Sequence, residues 1–269
     1  MGKGSREFTM NAQTTETFNQ RAQTALEFAG RQLRHLVTEH PDYFPLYSVN
    51  GKWKHDSEAW TNWCEGFLGG MLWIIYRHTK DAWWQERAEH YSRLIEHRKT
   101  DREVHDLGFL FLPTWKAWYD LTGDSTKNQV VIDAGKTLAL RFQPKGRYLG
   151  RYLRSFVSQD SIFIDIMMNV GIIFYAAQQT KDASLVQVAV DHCLTTRRFL
   201  IRGDGSASLE GLFISKPASS SSKQRTRDGA TIRVGRVDKP GPSTVSRQPI
   251  NSPETPGSWI RLSVAPISI

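Results

Sequence analysis

Three short turns constrain the fold of this chain more than any other feature. Thr79-Lys80-Asp81, Thr122-Gly123-Asp124 and Thr180-Lys181-Asp182 stand 43 and 58 residues apart, and each is flanked in the same way. Before each turn lies an apolar, aromatic stretch with helical spacing; after each lies a more amphipathic one. Such a unit is a helical hairpin with one buried and one half-exposed arm. Its repetition at unequal spacing implies a repeated scaffold whose intervening loops vary in length. Variable loops on one rim of a scaffold are where sites are usually built.

The first hairpin carries Trp60, Trp63, Phe67, Gly70, Met71, Ile74 and Ile75 before its turn, and Trp84, Ala88, Tyr91 and Ile95 after it. The second begins HDLGFLFLPTWKAWYDLTGD and runs to about Leu140; the third begins SIFIDIMMNVGIIFYAAQQTKD and runs to about Leu200. A further helix, from about Asn11 to Thr38, precedes them and is stopped by Pro41. No strand-like alternation is long enough to propose a sheet. The pattern predicts an all-α fold in which outer helices surround inner ones, an incomplete α/α toroid. It occupies residues 44–214, behind an N-terminal helix and loop over 1–43.

The third apolar stretch holds the clearest candidate for chemistry. Between Ser161 and Gln178 only Asp165 and Asn169 break the apolar run, and four residues apart on a helix they share a face. A carboxylate set among Ile164, Ile166, Met167 and Met168 is costly to bury unless it is paired or used. The alternative is an aspartate bonded within the first helical turn, where the macrodipole favours negative charge.

Charge excludes some functions. The net charge is +8, but residues from Ser215 onward hold nine Lys/Arg against three Asp/Glu, so 1–214 carries only +2. A nearly neutral body gives no reason to expect a nucleic-acid partner. The longest apolar runs are too short to cross a bilayer, and the polar start has no signal-like apolar segment. Cys64 and Cys193 have no metal-type spacing and read as buried free thiols, which fits a cytoplasmic protein. No metal motif, phosphate-cradling glycine loop or Ser/His/Asp arrangement calls for a metal or cofactor. RGDGS resembles an adhesive tripeptide by chance only.

After Phe213 the helical pattern stops, and 215–269 is rich in Ser, Pro, Arg and Gly. Composition reads it as a disordered basic tail, or as an arm for an anionic polymer. A third account is a change of reading frame near Phe213 to Gln224. With synonymous codons chosen freely, the shifted frame over Gln224 to Pro256 yields a helical aromatic pattern that ends in a fourth Thr-Gly-Asp turn, where the repeat calls for one.

HDLGF, IDIMMN, RGDGS and the repeated turns together resemble the unsaturated glucuronyl hydrolases, glycoside hydrolase family 88, from about Phe44 to Phe213. The shifted-frame string WARGQAW also looks like that family's next motif. The resemblance implies an (α/α)6 barrel. It also implies removal of a terminal 4,5-unsaturated uronic acid from oligosaccharides by hydration of an enol ether, outside the ordinary two-carboxylate scheme. By this resemblance Asp165 is the acid that protonates C4 and then orients water, and Asp106 is the second carboxylate. His105, Asn62, Trp63 and Asn169 are then substrate-binding residues, although Asp106 can equally be a helix cap and Trp63 a core residue. Arg202, near the DGS loop, could meet a uronate carboxylate, although it reads first as a solvated surface arginine. Leu209 stands where family members commonly have a histidine. The shifted-frame region, which lines the family's pocket, is absent from the printed frame.

Overall fold

The computed structural model describes residues 12–55, 59–143, 151–156, 160–214 and 231–235. Helix α1 (Ala12–Glu39) leads into a small ribbon, β1 (Tyr47–Val49) and β2 (Lys52–Lys54). Asn50 and Gly51 turn that ribbon with φ of 50° and 73°, the backbone that an Asn-Gly hairpin supplies. A 3₁₀ turn, Ala59–Cys64, precedes the first hairpin, α2 (Glu65–Thr79) and α3 (Ala82–Leu94). The second pairs a broken helix, α4 (Leu107–Phe111) and α5 (Ala117–Thr122), with α6 (Ser125–Ala139). Strands β3 (Phe142–Gln143), β4 (Tyr152–Leu153) and β5 (Ser161–Phe163) lead to the third hairpin. It comprises α7 (Ile166–Asn169), α8 (Gly171–Thr180) and α9 (Ala183–Leu200), followed by β6 (Glu210–Ile214) and β7 (Thr231–Gly235).

Each of the three turns works by the same chemistry. The threonine hydroxyl donates back to a carbonyl four residues earlier: Thr79 to Ile75 at 2.9 Å, Thr122 to Trp118 at 2.9 Å, Thr180 to Ala176 at 2.8 Å. The middle residue turns the chain at positive φ, 59° at Lys80, 70° at Gly123 and 57° at Lys181. Its N–H closes the helix end on Tyr76, Tyr119 or Ala177. The aspartate then sits in extended backbone and accepts the N–H two residues on, from Trp83 at 3.0 Å, Thr126 at 2.8 Å and Ser184 at 2.8 Å. One tripeptide thus ends an inner helix and starts an outer one.

Glycines bring the inner helices together. A Cβ on Gly66 of α2 would lie 2.1 Å from the carbonyl oxygen of Phe109 in α4, and one on Gly108 would lie 2.5 Å from Cα of Asn169 in α7. The starts of the three inner helices therefore meet at one rim, and the turns lie at their other ends. Pro113 has no N–H to give to Phe109 four residues back, and the helix widens there into a π turn, Leu112–Lys116, with Pro113 packed against Gly70. Ala88 and Tyr91 of α3, Val131, Ala134 and Leu138 of α6 and Ala189 of α9 close the core from outside. The result is a helical toroid, and it is incomplete. Phe67, Met71 and Ile74 are exposed on α2, and Met168, 66% exposed, and Phe174 on the opposite end of the series.

Short strands do occur, as ribbons of two to five residues per strand, too brief for alternation to register in the sequence. In addition, β7 lies inside the stretch assigned to a disordered tail. Its β-branched Thr231-Ile232-Val234 pattern favours an extended chain, and its backbone pairs antiparallel with β6, Gly211 opposite Val234. The rest of 215–269 lies outside the described residues. Cys64 and Cys193 are free but half-buried rather than buried.

Replacing Gly66 by alanine should lower the unfolding free energy by about 1–3 kcal/mol in urea, because the methyl group must displace the α4 backbone. Gly203→Ala, which meets nothing within 4 Å, should leave it unchanged.

Candidate active site

Among the described residues, five aspartates stand at helix starts, and they fall into two classes. Asp81, Asp124 and Asp182 have ψ of 122°, 109° and 101°, the extended geometry that turns a side chain onto the following N–H groups. Asp106 precedes α4 with φ −95° and ψ 20°, and Asp165 precedes α7 with φ −69° and ψ −18°. At these near-helical angles neither side chain caps its helix. The first-turn hydrogen bond that would have explained Asp165 is not made, and nor is the cap that would have explained Asp106.

Both uncapped carboxylates instead converge on His105. Its Nε2 lies 3.4 Å from Oδ1 of Asp106 and 3.5 Å from Oδ1 of Asp165, and one polar atom from each of the three residues lies within 4.8 Å of the other two. His105 is fully buried, Asp106 is 2% exposed, and the Asp165 side chain is 38% exposed. Burial pushes the Asp106 carboxyl up to about 6; His105 opposes that rise, the neighbouring Asp165 adds to it, and Arg98 and Asn169 oppose it. Asn169 is fully buried, and its amide is committed internally. Oδ1 accepts the N–H of Phe109 at 2.8 Å, and Nδ2 donates to Oδ1 of Asp106 at 3.4 Å and to the carbonyl of Asp165 at 3.3 Å. The sequence expectation of sugar contacts from His105 and Asn169 meets two enclosed side chains that face the carboxylates.

The other expected residues lie around this centre. Trp63 is half-buried and packs on Phe67 at 5.5 Å and Phe109 at 5.2 Å between ring centroids, an aromatic wall at the starts of α2 and α4. The Asn62 carbonyl accepts Nη1 of Arg98 at 2.9 Å, and the same nitrogen meets Glu65 at 3.1 Å. Arg202 is exposed and bonds Ser206 and the Ala207 carbonyl, stapling its own loop. The Leu209 carbonyl accepts the N–H of Ile164 at 3.0 Å, tethering the residue before Asp165 to the start of β6, while its side chain is exposed.

Sequence reasoning missed Arg141, which follows α6 and reads as a solvated helix-end residue. It is buried and donates to three carbonyls: Arg154 at 3.0 Å, Arg102 and Ser155. It thereby ties the segment before His105 to the strand-like segment that ends at Phe156. The N–H of Phe156 in turn donates to Nδ1 of His105 at 3.1 Å. This bond bears on metal binding. The spacing of His105, Asp106 and Asp165 could surround a cation, but a ligating imidazole ordinarily donates its other N–H to an acceptor. Here the other nitrogen faces a donor, so Nε2 carries the hydrogen and the set does not fit a metal.

No protein-family model matches the chain. Curated relatives do match. An unsaturated chondroitin disaccharide hydrolase of Streptococcus agalactiae is 31% identical over 151 residues, 55% of this chain and 38% of that protein. An unsaturated glucuronyl hydrolase of a Bacillus species is 31% identical over 172 residues, 62% of this chain and 45% of that one. The chain matches the N-terminal portion of the unsaturated glucuronyl hydrolases. The solved unsaturated glucuronyl hydrolase from S. agalactiae superposes with a TM-score of 0.62 at 29% identity, covering 71% of this chain and 49% of its own. The Bacillus structure gives 0.58, also at 29% identity. The chain thus spans about half or less of the length of the relatives it matches, and the solved structures share its helical toroid fold.

Because the folded Asp106 holds its proton more tightly than the unfolded chain, its contribution to stability is greatest below about pH 4 and is lost as pH rises through about 6. Asp106→Asn should therefore stabilise the fold by about 1–3 kcal/mol at pH 7.5 and by little at pH 4, measured by denaturant unfolding at both values.

Proposed function

We propose that this chain acts on oligosaccharides ending in a 4,5-unsaturated uronic acid and releases the neighbouring sugar by hydrating the enol ether. The observation that carries this reading is the unequal pair of uncapped carboxylates. Asp106 is too enclosed to attack an anomeric carbon, and Asp165 alone of the two has an exposed part. A two-carboxylate mechanism needs both groups at the sugar, whereas hydration needs one group that gives a proton and then takes one.

In that scheme Asp165 donates a proton to C4 as positive charge develops across C5 and the ring oxygen. Water bonds to C5 and returns a proton to Asp165. The hemiketal so formed collapses and frees the adjoining sugar. Ionised Asp106, behind Asp165, stabilises the developing charge, and the Trp63, Phe67 and Phe109 wall offers ring faces to the sugar. The names of the relatives favour glycosaminoglycan-derived disaccharides; pectin-derived ones test the neighbouring rhamnogalacturonyl specificity. The free thiols fit a cytoplasmic setting, and no helix among the described residues is long and apolar enough to cross a membrane.

The test is loss of the ultraviolet absorbance of the C4=C5 bond on mixing the protein with unsaturated chondroitin disaccharide. Asp165→Asn should reduce turnover by at least about 10²-fold, and Asp81→Asn, at a capping position, should not. A folded protein without turnover would favour the competing reading, a non-catalytic half-toroid, for which the exposed Met168, Met71 and Ile74 speak.

A further inference from the structure

His105 is fully buried in the site, and no role for it follows from the hydration scheme. Its Nδ1 accepts the Phe156 N–H, so that nitrogen keeps its lone pair and Nε2 carries the hydrogen. The Nε2 atom is buried and makes no hydrogen bond within normal length; the two nearest acceptors are the Asp106 and Asp165 oxygens at 3.4 and 3.5 Å. Oδ1 of Asp165 is likewise buried and unbonded. A buried donor stalled between two acceptors is costly, and it closes on whichever of them carries charge.

We propose that His105 is a positioning residue: the Phe156 backbone commits its Nε2–H to the carboxylate pair, and that hydrogen holds the buried Asp106 as the anion while Asp165 works on the substrate. The proposal rests on the functional reading above for its consequence, but not for its geometry. Arg141 fixes the arrangement from behind by anchoring the carbonyls of Arg102, Arg154 and Ser155, so that the Phe156 N–H and the His105 ring are held on either side of one clamp. Asn169 supplies a second donor to the same oxygen of Asp106.

Other titratable groups act on the pair and do not replace this role. Arg98, Arg141, Cys64 and Asp165 interact with Asp106 through their charges, Arg98 opposing its rise and Asp165 adding to it. His192, the other buried histidine, is held down to about 3 by burial and by His105, so it stays neutral. Its Nδ1 accepts the Leu153 N–H at 3.1 Å, the same use of an imidazole as an acceptor for a strand N–H.

The experiment follows the Asp106 carboxyl by carbon-13 NMR from pH 4 to 9, beside the pH profile of kcat/KM on unsaturated chondroitin disaccharide. In the unaltered chain the carboxyl should titrate at about 6. His105→Phe should move that midpoint, and the acid limb of the profile, upward by about one pH unit, tenfold in proton affinity. His105→Gln, which keeps an N–H at similar reach, should bring both back. An unmoved midpoint in a folded His105→Phe variant would overturn the proposal. Nitrogen-15 NMR of the unaltered protein tests it without any variant: a hydrogen on Nδ1 rather than Nε2 would overturn it. A midpoint that moves in a protein without turnover would leave the role of His105 standing and remove the functional reading.

Discussion

Asn169 lies directly against Gly108, so close that a single methyl group on the glycine would strike its backbone. Everything at the site depends on that approach. It places the start of α7 on the start of α4, which brings Asp165 to Asp106 from 59 residues away in sequence. It also lets the Asn169 amide take the Phe109 N–H, an orphan donor of the first turn of α4. The amide so oriented turns its other end to Asp106. Packing, helix capping and the electrostatics of the carboxylates are therefore one arrangement and not three.

The capping of α4 by Asn169 explains why Asp106 is free to do something else. In an ordinary helix start the preceding aspartate satisfies the first-turn N–H groups itself, as Asp81, Asp124 and Asp182 do at the other rim. At the site rim that duty has moved to a residue of the neighbouring helix, and the backbone of Asp106 and Asp165 has left the extended geometry that capping needs. Burial then raises the proton affinity of Asp106. Charge buried in this way works against stability, and perturbed carboxylates of this kind gather at functional sites.

What was legible in the sequence was local. The Thr-x-Asp turns were readable because the threonine, left-handed and aspartate bonds that define them span four residues or fewer, so the tripeptide itself specifies the stop, the turn and the start. Asp165 was readable because a carboxylate among isoleucines and methionines contradicts its surroundings. Arg141 was not, since its three carbonyl partners come from two distant loops and nothing near it in sequence hints at burial. His105 and Asn169 were recognised as belonging to the site, but whether they face the sugar or the carboxylates depends on packing between α4, α7 and the 151–156 segment. The short strands were invisible for a related reason: β6 finds its partners in β5 and β7, and five residues carry too little alternation to announce a sheet.

The most direct measurement is a crystal structure of the Asp165→Asn variant soaked with unsaturated chondroitin disaccharide. The account predicts the unsaturated ring lying against the Trp63, Phe67 and Phe109 wall, with C4 within hydrogen-bond reach of the substituted side chain and Asp106 behind it. A sugar bound elsewhere on the toroid, or an empty rim at saturating disaccharide, would contradict it.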